Sequence, residues 1–288
     1  MSIPSKYTPL PGAVALTRSV TLPVRRSVHE IGQVTIFAGK ALYLLPKTVR
    51  HYRSQTYKTM NSMAWGNGSL IVDGGVVMLL FLLGVAVGAV IAIEAYGALN
   101  LLGFGALSGI IGSFANIREI APILTGIGFA AQAGCRMTAE IGAMRIAEEV
   151  DATEALGLQA IPFVVGTRLI GGMLCVVPGY LMALVVSFFT GGLIIKVFHS
   201  EAPGTYDHYF SQFLSVQEVA FSLVKAVTFC ALVTLIHCYY GYFASGGPAG
   251  VGLASGRAIR ASLVVIVVMN FVLSVALWGL SPAMVFKG

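Results

Sequence analysis

Apolar stretches long enough to cross a bilayer recur five times along this sequence, and they leave few folds open. They cover about Leu70–Tyr96, Leu107–Gln132, Pro162–Phe189, Phe221–Tyr242 and Leu263–Leu280. A helix rises about 1.5 Å per residue, so roughly twenty apolar residues span the ~30 Å hydrocarbon layer, and the longer runs cross with tilt. Only 10% of the residues are charged and the mean hydropathy is +0.85. A soluble domain is typically about 25% charged, so the chain is expected to be an all-α integral membrane protein. Its 34 glycines suit closely packed membrane helices, and Gly84 and Gly88 form a GxxxG pair in the first span.

Charge placement gives the orientation. Nine of the 18 Lys/Arg precede residue 59. With the N-terminus inside, Arg136, Arg145, Arg168, Arg257 and Arg260 join those nine, against Lys196 and Lys287 outside. Arg118 and Lys225 fall within or at the edges of spans. This positive-inside bias predicts five spans, N-terminus in and C-terminus out. No soluble basic domain remains to bind nucleic acid. The first 60 residues contain no apolar region followed by a cleavage site, so no secretory signal is expected. Cys135, Cys175, Cys230 and Cys238 make no CxxC pair and are expected to be reduced thiols.

Residues 1–22 are polar and contain proline, and a flexible N-terminus is expected there. Over residues 23–60, Val28, Ile31, Thr35, Ala38, Leu42 and Leu45 follow helical spacing among many basic residues. That predicts an interfacial basic amphipathic helix, broken or kinked at Pro46. Residues 61–288 form the membrane domain.

The stretch from Phe114 to Arg168 carries the chemistry. Arg118 and Glu119 sit inside the second apolar run, where each charge costs about 2.5–3.5 kcal/mol at the bilayer centre on insertion scales. Adjacent residues on a helix point about 100° apart, so each needs a partner on another element or a wet cavity. Glu94 in the first span and Lys225 in the fourth are candidates by type. The functional expectation is a polar cavity handling a lipid headgroup or carboxylate; the alternative is a structural network between helices.

Between the second and third spans, residues 134–161 form a polar interruption of helix-forming composition. Glu148, Glu149, Asp151 and Glu154 place four of the chain's 12 acids within seven residues. Residues 148, 151 and 154–155 fall on one helical face, while Val150, Ala155 and Leu156 offer apolar contact. An acidic helix on a membrane face that normally favours bases would suit a basic groove on a soluble partner. Elsewhere, the loop at about Lys196–Gln217 contains His199, Tyr206 and His208, read as ordinary surface residues. A Gly-rich loop, SGGPAGVGLASGRAIR, precedes the fifth span. No GxxxxGK[ST] sequence is present, so nucleotide energy would have to come from another chain.

With the run from Arg118 through Gly126 (REIAPILTG), the run from Ala139 through Ala152 (AEIGAMRIAEEVDA) and the downstream Arg168 in view, the sequence resembles the MlaE/YrbE permeases of Mla-type and Mce-type ABC lipid transporters. The likeness covers about residues 60–285, making residues 61–288 an MlaE-type permease domain. It implies a multi-pass inner (plasma) membrane protein, without catalytic activity of its own. Lipid substrate would be moved by ATP and Mg held in a partner ATPase dimer. The segment around Glu148–Leu156, with Glu149, Asp151 and Glu154, would be the cytoplasmic coupling helix between spans two and three. Arg118 and Glu119 would be the charged pair near a lipid cavity, with Glu94 at a position where the family carries a polar residue; Lys225 is assigned to that cavity by charge type alone, and MCE-domain proteins on the outer face would be partners. The family commonly has an AGR-G-A run before its AE-G motif; here Gln132 stands at the arginine position and Arg136 follows one turn later. Thr167-Arg168 replaces the family's Pro-Arg. These departures resemble the second of two paired permeases, implying a heterodimer with a paralogous permease. The competing classes are a secondary transporter or channel with an Arg118/Glu119/Lys225 relay, and a structural scaffold. Five spans without a detectable inverted repeat count against the transporter.

Overall fold

The computed structural model describes residues 32–66, 74–198 and 203–279. Among them the chain is helical throughout, with no strand. Helices α1 (residues 32–43), α2 (Leu45–His51) and α3 (Arg53–Trp65) precede the apolar bundle. The bundle consists of α4 (Val76–Asn100), α5 (Ser108–Ile146), α7 (Ile161–Phe198), α9 (Val216–Tyr242) and α10 (Gly247–Trp278), each long and apolar enough to cross a membrane. Two shorter helices lie in the connections, α6 (Glu149–Ala155) and α8 (Pro203–Phe213). The flexible leader expected at 1–22 lies outside the described residues.

The five apolar stretches of the sequence are all present as helices, but α5, α7 and α10 are longer than hydropathy suggests. Helix α5 continues through Arg136, Glu140 and Arg145 to Ile146, which takes in much of the expected polar interruption. Hydropathy marks where hydrocarbon ends, whereas a helix ends where its backbone hydrogen bonds do. The Gly-rich stretch before the last span is likewise mostly helix. Gly246 (φ 89°) and Gly247 (φ 70°) make the reversal in left-handed backbone, with Pro248 in the first turn. Gly250, Gly252 and Gly256 then lie within α10.

Small residues set the tightest crossing in the bundle. Gly84 and Gly88 of α4 meet Ala183 and Ser187 of α7: a Cβ on Gly84 would lie 2.6 Å from the Ala183 carbonyl oxygen, and one on Gly88 would collide with the Ser187 carbonyl. From α5, Asn116 Nδ2 donates to Ser187 Oγ at 2.8 Å beside this crossing. Helices α7 and α9 are joined by Tyr180 and Ser222, whose hydroxyls lie 2.7 Å apart. Helix α7 passes Pro178 without ending.

Of the amphipathic stretch expected at 23–60, residues 23–31 with Val28 and Ile31 lie outside the described residues; the rest is interrupted near Pro46, as expected, and again at Tyr52. The chain turns at Leu44, and α2 takes Pro46 into its first turn, as the lost N–H of proline allows. The buried face also differs from the expected one. Phe37, Ala41 and Thr48 are buried, whereas Thr35 and Leu42 are exposed. Phe37 packs edge-on to Tyr239 and Phe243 at the end of α9. Thr48 Oγ1 donates to the Pro162 carbonyl at 3.2 Å and fills the space over Gly166. Ile36, Tyr43 and Val49 point outward, so these helices are apolar on two sides. The inner side meets the bundle.

In the connection before α9, Tyr206 is buried rather than superficial, packed with Ala92 and Ile195. Burial, with Asp207 alongside, pushes its phenol up to about 12. Lys196 pairs with Asp207 at 2.8 Å, fixing α8 to the end of α7.

Because backbone atoms occupy the Gly88 site, Gly88→Val is expected to destabilise the protein by about 2 kcal/mol. Gly97 on the same helix has open space around it, so Gly97→Ala should leave the midpoint unchanged or slightly raised. Thermal unfolding of the purified variants in detergent compares the two.

Candidate functional site

Helix α5 does not keep α-helical spacing where its charges lie. Ile111–Ile120 is π-helical, and the Ala121 N–H reaches back to the Asn116 carbonyl. Such wide turns are uncommon and often mark functional segments. Pro122 follows at once, with no N–H to offer the Arg118 carbonyl four residues earlier. Lys225 of α9 takes that place: its Nζ donates to the Arg118 carbonyl at 2.7 Å.

The Lys225 side chain is fully buried. Besides the carbonyl, its ammonium donates to Glu119 Oε2 at 3.1 Å and to Ser274 Oγ at 2.7 Å. Ser274 passes its own proton to Glu119 Oε1 at 2.6 Å, and Asn270 Nδ2 donates to Glu119 Oε2 at 2.6 Å. All three protons of the ammonium are thus placed, and one carboxylate joins α5, α9 and α10. The Glu119 side chain keeps 41% of its surface exposed.

Arg118 points elsewhere, as adjacent residues must. Its guanidinium grips Glu218 with two parallel bonds, Nε to Oε2 at 3.0 Å and Nη2 to Oε1 at 2.7 Å. This fork geometry is the strong form of an arginine–carboxylate pair. Trp278 Nε1 donates to the same Glu218 carboxylate at 2.7 Å. The Arg118 guanidinium also lies 4.0 Å from the Phe114 ring centroid and 5.2 Å from that of Trp278.

The structure therefore brings Arg118, Glu119 and Lys225 into one network. Glu94 does not join it: it is exposed on α4, with no hydrogen bond or ion pair among the described residues. Sequence reasoning missed Glu218, Asn270, Ser274 and Trp278. Glu218 carried a signal. Ser215 and Glu218 have the S-x-x-E spacing of a helix start, and Ser215 Oγ accepts the Glu218 N–H at 3.2 Å. Asn270 and Ser274 are one turn apart in the last apolar run, a pattern that reads as ordinary small polar residues until the facing carboxylate is known.

The acidic residues lie at the opposite end of α5. Glu148 has φ 56°, the left-handed region, and precedes α6 rather than lying on it. It therefore does not share a helical face with Asp151 and Glu154. A turn between α5 and α6 requires this reversal, and a short α6 of Glu149–Ala155 follows. Of the expected apolar contacts only Val150 is buried; Ala155 is exposed, and Leu156 is 79% exposed. Arg145 pairs with Asp151 at 2.5 Å, and Tyr242 donates to Glu154 at 3.4 Å. Glu148 and Glu149 are exposed.

A sequence-family comparison decides the relationship. The family model described as Permease MlaE matches residues 69–276, well over half of the chain. The chain belongs to the MlaE permease family. This membrane permease is 29% identical over 188 residues to a probable ABC transporter permease protein of Rickettsia bellii, covering 65% of this chain and 72% of the relative. A probable ABC transporter permease protein of Synechocystis is 33% identical over 181 residues, 62% of this chain and 66% of its own. The intermembrane phospholipid transport system permease protein MlaE of Haemophilus influenzae is 23% identical over 203 residues, 70% of this chain and 78% of its own.

Removing only the cation from the network leaves a carboxylate among apolar helices. Lys225→Met is expected to destabilise this MlaE-family permease by about 2 kcal/mol or more, while Lys225→Met with Glu119→Gln should recover part of the loss. Unfolding midpoints of the two variants in detergent test this coupling.

Proposed function

We propose that this MlaE-family chain is the membrane permease subunit of an MCE-associated ABC transporter that moves lipid across the inner membrane. A separate ATPase dimer supplies ATP hydrolysis, and a paralogous permease completes a heterodimer. The chain lies with its N-terminus inside and C-terminus outside. Helices α1–α3 rest in the inner headgroup region, and their outward apolar side chains Ile36, Tyr43 and Val49 favour that placement.

The observation that carries the reading is the exposed acidic turn on a family permease. Glu149 and Glu154, beside bare Leu156 and Leu158, suit docking into a basic, partly apolar groove. This turn is the coupling segment. The apolar stretch of α10 is only 11% buried, and α10 bonds Glu119 through Asn270 and Ser274. A second permease facing α10 encloses a lipid cavity there, with Arg118, Glu119 and Lys225 at its polar edge. ATP binding closes the ATPase dimer, shifts the coupling segments and reshapes this cavity. Lipid of fatty acid, sterol or phospholipid type then passes between the cavity and an MCE-domain protein on the outer face, in the direction of uptake.

Purification of the tagged full chain in mild detergent, with mass spectrometry of protein and lipid, tests the reading. An ATPase, a second permease and MCE proteins should co-purify. Recovery of this chain alone at every detergent strength would overturn the proposal in favour of a secondary transporter. Glu149→Lys with Glu154→Lys is expected to abolish ATPase co-purification and lipid transfer. Arg118→Ala should reduce lipid transfer at least tenfold while the complex still assembles, about 1.4 kcal/mol in coupling terms.

A further inference from the structure

A second polar site lies at the acidic-turn end of the bundle, where α3 crosses the ends of α5 and α7. It surrounds a cavity of about 240 Å³. Lys58, Arg136 and Arg168 line it, with Glu140 as the one carboxylate and Ser62 as a hydroxyl. Arg136 Nε donates to Glu140 Oε1 at 2.7 Å, and Arg168 Nη2 donates to Glu140 Oε2 at 3.2 Å. Two guanidinium groups thus share one carboxylate. Lys58 has no ion pair or hydrogen bond among the described residues. The lining therefore carries an excess of two positive charges.

The donors are only partly used. Arg136 gives its remaining groups to Ser62, Nη1 to the carbonyl at 3.2 Å and Nη2 to Oγ at 2.8 Å. Arg168 Nη1 donates to the Val164 carbonyl at 3.0 Å, but its Nε is buried without a hydrogen-bond partner. A buried guanidinium N–H left without an acceptor is unfavourable; the cation that is free to meet an anion in the cavity is Lys58. The other wall is apolar, formed by Met63, Ala133 and Met137. The polar side chains begin on α5 just where its apolar run ends, so the cavity sits at the edge of hydrocarbon.

We infer that this cavity holds the phosphate of an anionic lipid headgroup, distinct from the Arg118–Glu119–Lys225 network and independent of the transport reading. Arginine and lysine together match phosphate oxygens by fork and point-charge contacts. Basic pockets at membrane boundaries bind anionic headgroups in this way. The volume is below the ~300–1,000 Å³ usual for a whole small ligand, so the headgroup enters and the acyl chains stay outside the cavity.

The full chain in nanodiscs of phosphatidylcholine with a minority of phosphatidylglycerol provides the test, read by native mass spectrometry of retained lipid. The wild type should retain phosphatidylglycerol preferentially. Lys58→Gln should lower that retention about fivefold, the effect of one cation near a membrane surface. Lys58→Arg should restore it, and Lys40→Gln, on α1 away from the cavity, should leave it unchanged. Equal retention by the wild type and Lys58→Gln overturns the inference, as does the absence of any preference for phosphatidylglycerol. A parallel arm adds inorganic phosphate to the lipid-depleted chain. If phosphate alone raises the unfolding midpoint as much as phosphatidylglycerol does, and Lys58→Gln removes that rise, the site serves free phosphate and the lipid assignment is wrong.

Discussion

The ammonium of Lys225 is fully buried between three helices, and a charge in that position has to be neutralised where it stands. Its solution is geometrically demanding. It needs a carboxylate on α5, a hydroxyl on α10 and a backbone carbonyl of α5. The last requirement reaches back into covalent structure. Pro122, at the end of a widened turn, withholds the N–H that an α-helix would offer the Arg118 carbonyl and leaves room there for an outside donor. Helices α5, α9 and α10 therefore share one register: sliding any of them by a turn would strand a charge. The free energy of the pair itself need not be large, since desolvation offsets much of the attraction. Its consequence is specificity of packing.

Widened turns recur where helices in this bundle carry irregular or polar tasks. Besides Ile111–Ile120, π-helical turns occur at Ala130–Gly134 in α5 and at Ile161–Gly166 in α7. The second packs against α9, where the His237 ring lies over Gly134, 2.7 Å from the position of an added Cβ. The third begins with Pro162 near its start, and that carbonyl accepts the Thr48 hydroxyl. In each case a displaced backbone or a missing side chain is compensated by a group from another helix. In hydrocarbon no water is present to do it.

Much of the architecture could be read in the sequence because apolar length and charge identity are local. Five spans followed from hydropathy, and the need of Arg118 and Glu119 for separate partners followed from helical geometry. Lys225 was named by charge type. Glu94 was named on the same ground and lies outside the network, because sequence gives the kind of partner but not the facing of α4. The partner of Arg118 was hidden for a different reason: Glu218 looks like the end of a polar loop until its role in the first turn of α9 is seen. Helix ends were the least legible feature. The glycines of 246–256 read as a loop by composition, yet in an apolar setting a backbone meets its hydrogen-bonding needs most readily as helix. Glu148 was read as part of a helical face; its left-handed backbone depends on how α5 must turn into α6, which no local residue preference announces.

The spacing of the polar layers explains how so apolar a chain tolerates its charges. Arg118 and Arg136 lie on the same helix, separated by at most about 27 Å at the α-helical rise of 1.5 Å per residue, the π turns between them shortening it. That is close to the hydrocarbon thickness. One layer gathers Arg118, Glu119, Glu218 and Lys225; the other gathers Arg136, Glu140 and Arg168. A bilayer placed with one layer near each edge would leave neither at its centre, where insertion is most unfavourable. Trp278 fits this placement, since its indole reaches the outermost carboxylate of the first layer and tryptophan favours the interface. The tight Gly84–Ala183 and Gly88–Ser187 crossing lies beside the first layer, where Asn116, two residues before Arg118, donates to Ser187. The two layers are also anchored on one continuous helix, α5. Helix α9 links the same two ends, with Lys225 and Glu218 in the first layer and Tyr242 bonded to Glu154 at the acidic turn, so two helices connect that turn to Arg118 and Glu119.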